Sequence, residues 1–93
     1  MKQEELFIKA INKWGLQKQM LMLVEELGEL QHAVIKAIRN NQEFTEEMAE
    51  EWADTEIMLA QMRHYWTQKM DLDEILDEFK NKKLKRLEQL LGE

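Results

Sequence analysis

Two short acidic clusters contain the residues of this chain whose types and spacing suit chemistry. Glu25, Glu26 and Glu29 lie in the stretch VEELGELQHA, and Glu51 and Asp54 lie in the stretch EEWADTEIM. Carboxylate oxygens are the ligands that hard divalent cations prefer, and a carboxylate can also accept a proton during hydrolysis. Because the chain has no cysteine, Mg²⁺ or Mn²⁺ fits these clusters better than zinc or copper does.

The helical register predicts that acids from the two clusters meet. An α-helix turns by about 100° per residue, which places Glu26 inside the apolar arc of its helix and Glu29 at the edge of that arc. Glu51 and Asp54 repeat this arrangement on the next helix. If the chain turns near Asn40, positions whose numbers add up to roughly 80 lie opposite one another. We therefore expect four carboxylates to converge across one interhelical groove.

The elements that position these acids are four amphipathic helices with short connections. The spacing of apolar residues predicts the first two helices over residues 3–14 and about 17–38, with Gly15 ending the first. Thr45 is the expected N-cap of a third helix that runs to about residue 68, and Asp71 with Glu74 resembles a capping box for the fourth. The prediction is a single all-α domain over residues 1–93, folded as an antiparallel four-helix bundle.

Composition narrows the classes of partner. A net charge of −6 repels phosphate backbones, which argues against binding to a nucleic-acid polymer. The N-terminal stretch MKQEELFIKA contains acidic residues where a signal peptide is apolar, and no apolar run has transmembrane length. We therefore expect a cytoplasmic protein without membrane contact. Because 93 residues give only a thin core, a homodimer or homotetramer is also expected.

The acidic clusters also resemble a known signature. EELGE followed by EWAD is similar to the E-E-x-x-E … E-x-x-D pattern of the MazG-like group of all-α nucleoside triphosphate pyrophosphohydrolases. That group includes dimeric dUTPases, dCTP pyrophosphatases and phosphoribosyl-ATP pyrophosphohydrolases. WGLQKQMLMLVEELGEL resembles the entry to the motif helix in small phage-encoded or Firmicute members. The resemblance covers roughly residues 10–90.

The resemblance implies an activity and roles for the acids. Family members cut between the α- and β-phosphates of a nucleoside triphosphate and release a monophosphate and pyrophosphate. By that resemblance Glu26, Glu29, Glu51 and Asp54 are the expected Mg²⁺ ligands, and Mn²⁺ is an alternative ion. Glu25 is an accessory catalytic acid, and Glu26 also belongs to the catalytic set. Family sites are built from helices of more than one subunit, which agrees with the expectation of an oligomer.

Substrate contacts are expected from two further regions. Related enzymes bind the phosphates with basic residues of a late helix, which makes Lys80, Lys83 and Arg86 candidates, although a solvated C-terminal helix also explains them. Trp14, at a helix joint, is the candidate for stacking on the base. Asn12 and Gln19 are weaker candidates for reading the edge of the base. Trp52 and Trp66 are expected to pack in the core.

Two other functions compete with hydrolysis. The chain could be a non-enzymatic helical dimerisation or interaction module in which the acids form a solvated seam. Glu29 and His32 also form an E-x-x-H pair of the kind found in di-iron bundles. The second pair that such a site needs is missing, because Gln61 stands three residues before His64.

Overall fold

The chain folds into four α-helices. The computed structural model describes residues 1–93 and contains α1 (Gln3–Trp14), α2 (Leu16–Arg39), α3 (Glu46–Thr67) and α4 (Leu72–Leu91), with no strand. The prediction of an all-helical chain with four helices is confirmed, and the predicted ends agree to within a residue or two. No helix of the chain combines the length and the apolar character that crossing a bilayer requires.

The helix ends form where the local chemistry predicts them. Gly15 joins α1 to α2 at φ 91°, a backbone angle that favours glycine, and its N–H donates to Ile11 O at 2.8 Å. The Thr45 hydroxyl accepts a hydrogen bond of 3.1 Å from Met48 N at the start of α3. Asp71 caps α4 in the same way, through the backbone N–H three residues later.

Helices α2 and α3 form an antiparallel hairpin, which is the main packing unit of the chain. Near the turn, Lys36 Nζ lies 3.2 Å from Glu47 Oε2, and the small side chains of Ala33 and Ala37 are buried with Met48. Small residues at this position allow the two helix backbones to approach closely. The hairpin therefore fixes the register in which the two acidic clusters meet.

The other two helices are attached differently. Helix α1 packs against both α2 and α3 and contributes Phe7 to the core. Helix α4 contacts only α3, is held at its start by an ion pair of 2.8 Å between Arg63 and Asp73, and buries none of its residues. The radius of gyration is 16.4 Å, whereas a compact domain of this length has about 12 Å.

One face of α2 that the sequence assigns to the core is exposed. Val24 is 64% exposed and Ile38 is 69% exposed, although both belong to the stripe of apolar residues whose spacing predicts α2. The stripe is wider than the surface that α1 and α3 cover, and these helices cover the half that carries Ala33 and Ala37. Trp52 was also expected in the core, but it is 51% exposed and its indole N–H donates to Glu56.

Candidate metal centre

Three of the predicted acids converge between α2 and α3. Glu26, Glu51 and Asp54 each place a carboxylate oxygen within 4.8 Å of the other two. Two oxygens bound to one Mg²⁺ lie at most about 4.2 Å apart, since each Mg–O bond is about 2.1 Å long. Small side-chain movements would therefore bring all three carboxylates onto one ion. We call these residues the acidic triad.

A buried threonine ties the two helices together beside the acidic triad. The Thr55 hydroxyl lies 2.8 Å from the carbonyl oxygen of Glu51 on its own helix and 3.3 Å from that of Glu26 on α2. Thr55 is only 4% exposed. It therefore holds the backbones that carry two of the triad acids in one register, which agrees with the predicted pairing.

Two oxygens of the acidic triad are buried without a hydrogen-bond partner. They are Glu26 Oε2 and Glu51 Oε2. None of the three ion pairs of the chain includes a triad acid. An ionised carboxylate that loses its water without gaining a partner is costly. A divalent cation would supply the missing interaction, and the all-oxygen donor set suits Mg²⁺ or Mn²⁺.

The same crowding changes the proton affinity of two acids. Burial raises the pKa of Glu26, and the negative charges of Glu29, Asp54 and Glu25 raise it further. The pKa of Glu51 rises to about 7, chiefly because its side chain forms a hydrogen bond with Glu29, with burial and the neighbouring charges adding to this. Both shifts follow from acids held together in a partly dry groove, where a shared hydrogen bond, lost hydration and neighbouring negative charges all favour the protonated form. Protons and cations therefore compete for this site.

The remaining predicted acids flank the acidic triad. Glu29 lies outside the triad but close enough to Glu51 for a hydrogen bond between their side chains. Glu25 is exposed, and its charge still acts on Glu26. The groove thus gathers negative charge from both clusters, with three acids at its centre and two at its rim.

The predicted phosphate-binding residues lie apart from the acidic triad within one chain. Lys80 lines a groove between α3 and α4 together with Trp66 and Leu76. Lys83 and Arg86 follow along α4, where both are exposed. None of the three forms a salt bridge with an acid.

The predicted base-binding residues divide between two pockets. Trp14 lies half exposed at the rim of a pocket between α1 and the α2–α3 hairpin, and Gln19 lines the same pocket. Asn12 lines a separate pocket beside Tyr65. Sequence reasoning missed Gln61, which is buried in the Trp14 pocket. The one feature of the sequence that could have indicated Gln61 is its position seven residues after Asp54, about two turns along the same helix.

No histidine belongs to the acidic triad. His32 is exposed, and His64 stacks obliquely near Phe7 with ring centroids 6.4 Å apart. The geometry therefore gives no support to the di-iron alternative. No family model, curated protein or solved structure matches this chain.

Proposed function

We propose that the chain is a Mg²⁺-dependent nucleoside triphosphate pyrophosphohydrolase. It would hydrolyse the bond between the α- and β-phosphates and release a monophosphate and pyrophosphate. The observation that supports this most is the pair of buried, unpartnered carboxylate oxygens of Glu26 and Glu51, which face one groove from two helices. The likeness of both clusters to the MazG-like signature adds the class of substrate.

The alternative of a solvated acidic seam explains this observation less well. Acids that serve only solubility lie in water, where each carboxylate oxygen keeps its hydration. Here Glu26 and Glu51 each withdraw one oxygen from water. The pKa of Glu26 is raised chiefly by this burial, and the pKa of Glu51 is raised chiefly by its hydrogen bond with Glu29, with burial adding to the shift. A chain gains nothing in stability from that arrangement unless a cation or proton occupies the groove.

The proposed chemistry assigns each acid a task. Glu26, Glu51 and Asp54 would hold Mg²⁺, with Glu29 beside them. When bound, the ion neutralises triphosphate oxygens and lowers the pKa of a coordinated water. Glu25, which reaches solvent at the rim, would orient the attacking water, and a carboxylate of the groove would accept its proton. The water oxygen bonds to the α-phosphorus, and the bridging oxygen leaves with pyrophosphate.

We further propose that the four-helix bundle is completed by a second copy of the chain. The accessible surface is 7651 Å², whereas a monomer of this mass exposes about 5,700 Å². The difference is within the range that subunits of obligate dimers bury. Helix α4 contacts only α3, so its apolar face is free to pack against a partner. Such packing could also bring the basic residues of α4 to another subunit's acids.

Turnover measurements test the hydrolase directly. The purified chain is incubated with Mg²⁺ and each of a panel of nucleoside triphosphates, and monophosphate and pyrophosphate are quantified. Glu26→Gln and Glu51→Gln should each lower turnover at least a hundredfold, since each removes a charged ligand while keeping the shape of the side chain. Circular dichroism should show an unchanged helical content.

Glu50→Gln is the matched control, because Glu50 is exposed on the same helix next to Glu51. This variant should retain full turnover. Wild-type activity in Glu26→Gln or Glu51→Gln would rule out the proposed site. Release of orthophosphate in place of pyrophosphate would rule out cleavage at the α-phosphate.

A further inference from the structure

The pocket between α1 and the α2–α3 hairpin carries a buried polar group that no residue of the chain satisfies. The pocket has a volume of about 400 Å³ and apolar walls that include Phe7 and Ile57. Gln61 also lines it and is only 4% exposed. Its Oε1 atom is buried without a hydrogen-bond donor. A buried acceptor of this kind destabilises the free protein unless a ligand supplies the donor.

We propose that this pocket, here called the α1 pocket, binds the base of the nucleotide, with Gln61 Oε1 accepting a hydrogen bond from a base N–H group. This assignment rests on the proposed function, because it places the base of the same substrate whose phosphates meet the acidic triad. It assigns Gln61 as a specificity-determining residue. A flat heterocycle matches the pocket because the faces of the ring are apolar, like the pocket walls, and the edge of the ring carries N–H groups that Gln61 Oε1 can accept from.

The position of the α1 pocket along the hairpin fits one nucleotide. Gln19 and Gln61 both line it, and each stands seven residues from a triad acid, Glu26 and Asp54 respectively. Since α2 and α3 are antiparallel, both steps run in the same direction along the groove. Seven residues of helix span about 10 Å. A sugar can therefore bridge a base held by Gln61 and an α-phosphate at the acidic triad.

The rim of the α1 pocket offers a stacking surface. Trp14 is half exposed there, and Lys13 Nζ lies 5.3 Å from the centroid of its ring. One face of the indole thus holds a cation, and the other can stack on a base, an interaction that is strong for any heterocycle. Trp14 would supply affinity, and Gln61 would supply the choice among bases.

Binding of nucleosides in the absence of metal tests the α1 pocket. The probes are the four common 2′-deoxynucleosides, with deoxyribose 5-phosphate as the probe that lacks a base, and binding is followed by quenching of tryptophan fluorescence. We expect at least one deoxynucleoside to bind and deoxyribose 5-phosphate to cause no quenching. Gln61→Met, which keeps the length of the side chain, should weaken that binding about tenfold.

A thermal melt separates this role from a structural one. Without ligand, Gln61→Met should melt at a higher temperature than the wild type, because it removes the unpartnered oxygen. A glutamine needed only for packing would give a lower melting temperature and unchanged nucleoside affinity, which would overturn the proposal. Gln31→Met, at an exposed position of α2, should change neither quantity.

The two proposals fail in different ways. Hydrolysis of a triphosphate without binding of any deoxynucleoside would overturn the α1 pocket and leave the hydrolase intact. Nucleoside binding that depends on Gln61, with no triphosphate hydrolysed, would support the α1 pocket as a base-binding site and overturn the proposed reaction.

Discussion

At the scale of single residues, Thr55 is the side chain on which the geometry of the acidic triad depends. Its hydroxyl joins backbone carbonyls of α2 and α3, so it limits sliding between the helices that carry Glu26 and Glu51. Valine has nearly the same shape but no hydroxyl. We expect Thr55→Val to lower the free energy of unfolding by about 1 kcal/mol and to weaken Mg²⁺ binding several-fold, as measured by thermal melts and titration calorimetry.

Thr67→Val is the matched control for this substitution. The Thr67 hydroxyl donates to His64 O at 2.9 Å within the last turn of α3 and connects no second helix. Thr67→Val should therefore lower the free energy of unfolding by a similar amount without any change in Mg²⁺ affinity. Equal Mg²⁺ affinity in Thr55→Val and the wild type would show that Thr55 has no part in positioning the acids.

The raised pKa values predict how pH acts on the metal-free chain. Glu51 has a pKa of about 7 in the folded protein and 4.5 ordinarily, and the pKa of Glu26 is shifted in the same direction. Above pH 7 Glu51 is ionised in both the folded and unfolded states, so the folded state carries the full repulsion. Below pH 4.5 it is protonated in both, and the repulsion is gone. The amount by which this acid destabilises the folded state therefore decreases as pH falls from about 8 to 5.

Melting temperatures measured between pH 8 and pH 5 test the predicted direction of this change in stability. In EDTA the difference between wild type and Glu51→Gln should shrink as the pH falls from 8 to 5, because the protonated acid resembles the amide. The rise in melting temperature that Mg²⁺ causes should be larger at pH 8 than at pH 5.5, since protons then no longer compete with the ion. A Mg²⁺ effect that is independent of pH would contradict binding at the acidic triad.

At the scale of the helices, local chemistry decides where each element begins and ends. The helical period and the capping residues Thr45 and Asp71 are local features, so the four helices follow from the sequence. The facing of Glu26 and Asp54 also follows, because a short turn near Asn40 leaves little freedom in the register of α2 and α3. The convergence of three acids was predictable for that reason.

Packing between helices decides which residues are buried, and the sequence alone does not predict this. The apolar arc of α2 is wide enough for more than one neighbour, and nothing local says that Ala33 is covered while Val24 is exposed. The burial of Thr55 and Gln61 depends on the close approach of α2 and α3 and on how α1 crosses them. Polar residues at such positions look like surface residues in the sequence, which is why both were missed.

At the scale of the whole molecule, the uncovered apolar surface predicts association. Phe79 and Leu87 lie on the same side of α4 as Leu76, yet Phe79 is 56% exposed and Leu87 is 49% exposed. Burial of such side chains in a partner is favourable by about 25 cal/mol per Å². We expect sedimentation velocity at tens of micromolar to give a multiple of the protomer mass, 11.3 kDa.

A carboxylate in place of an apolar side chain on this face should weaken the assembly, because the contact loses apolar area and the carboxylate must give up its hydration when it is buried. Leu87→Glu is therefore expected to shift the sedimenting species toward the protomer. Asn81→Glu adds the same charge on the opposite side of α4 and should leave the oligomer unchanged. If the partner also completes the active site, turnover of Leu87→Glu should fall with dilution in parallel with the loss of oligomer. A wild-type chain that sediments as a monomer would instead leave the face of α4 unexplained and restrict the site to residues of one chain.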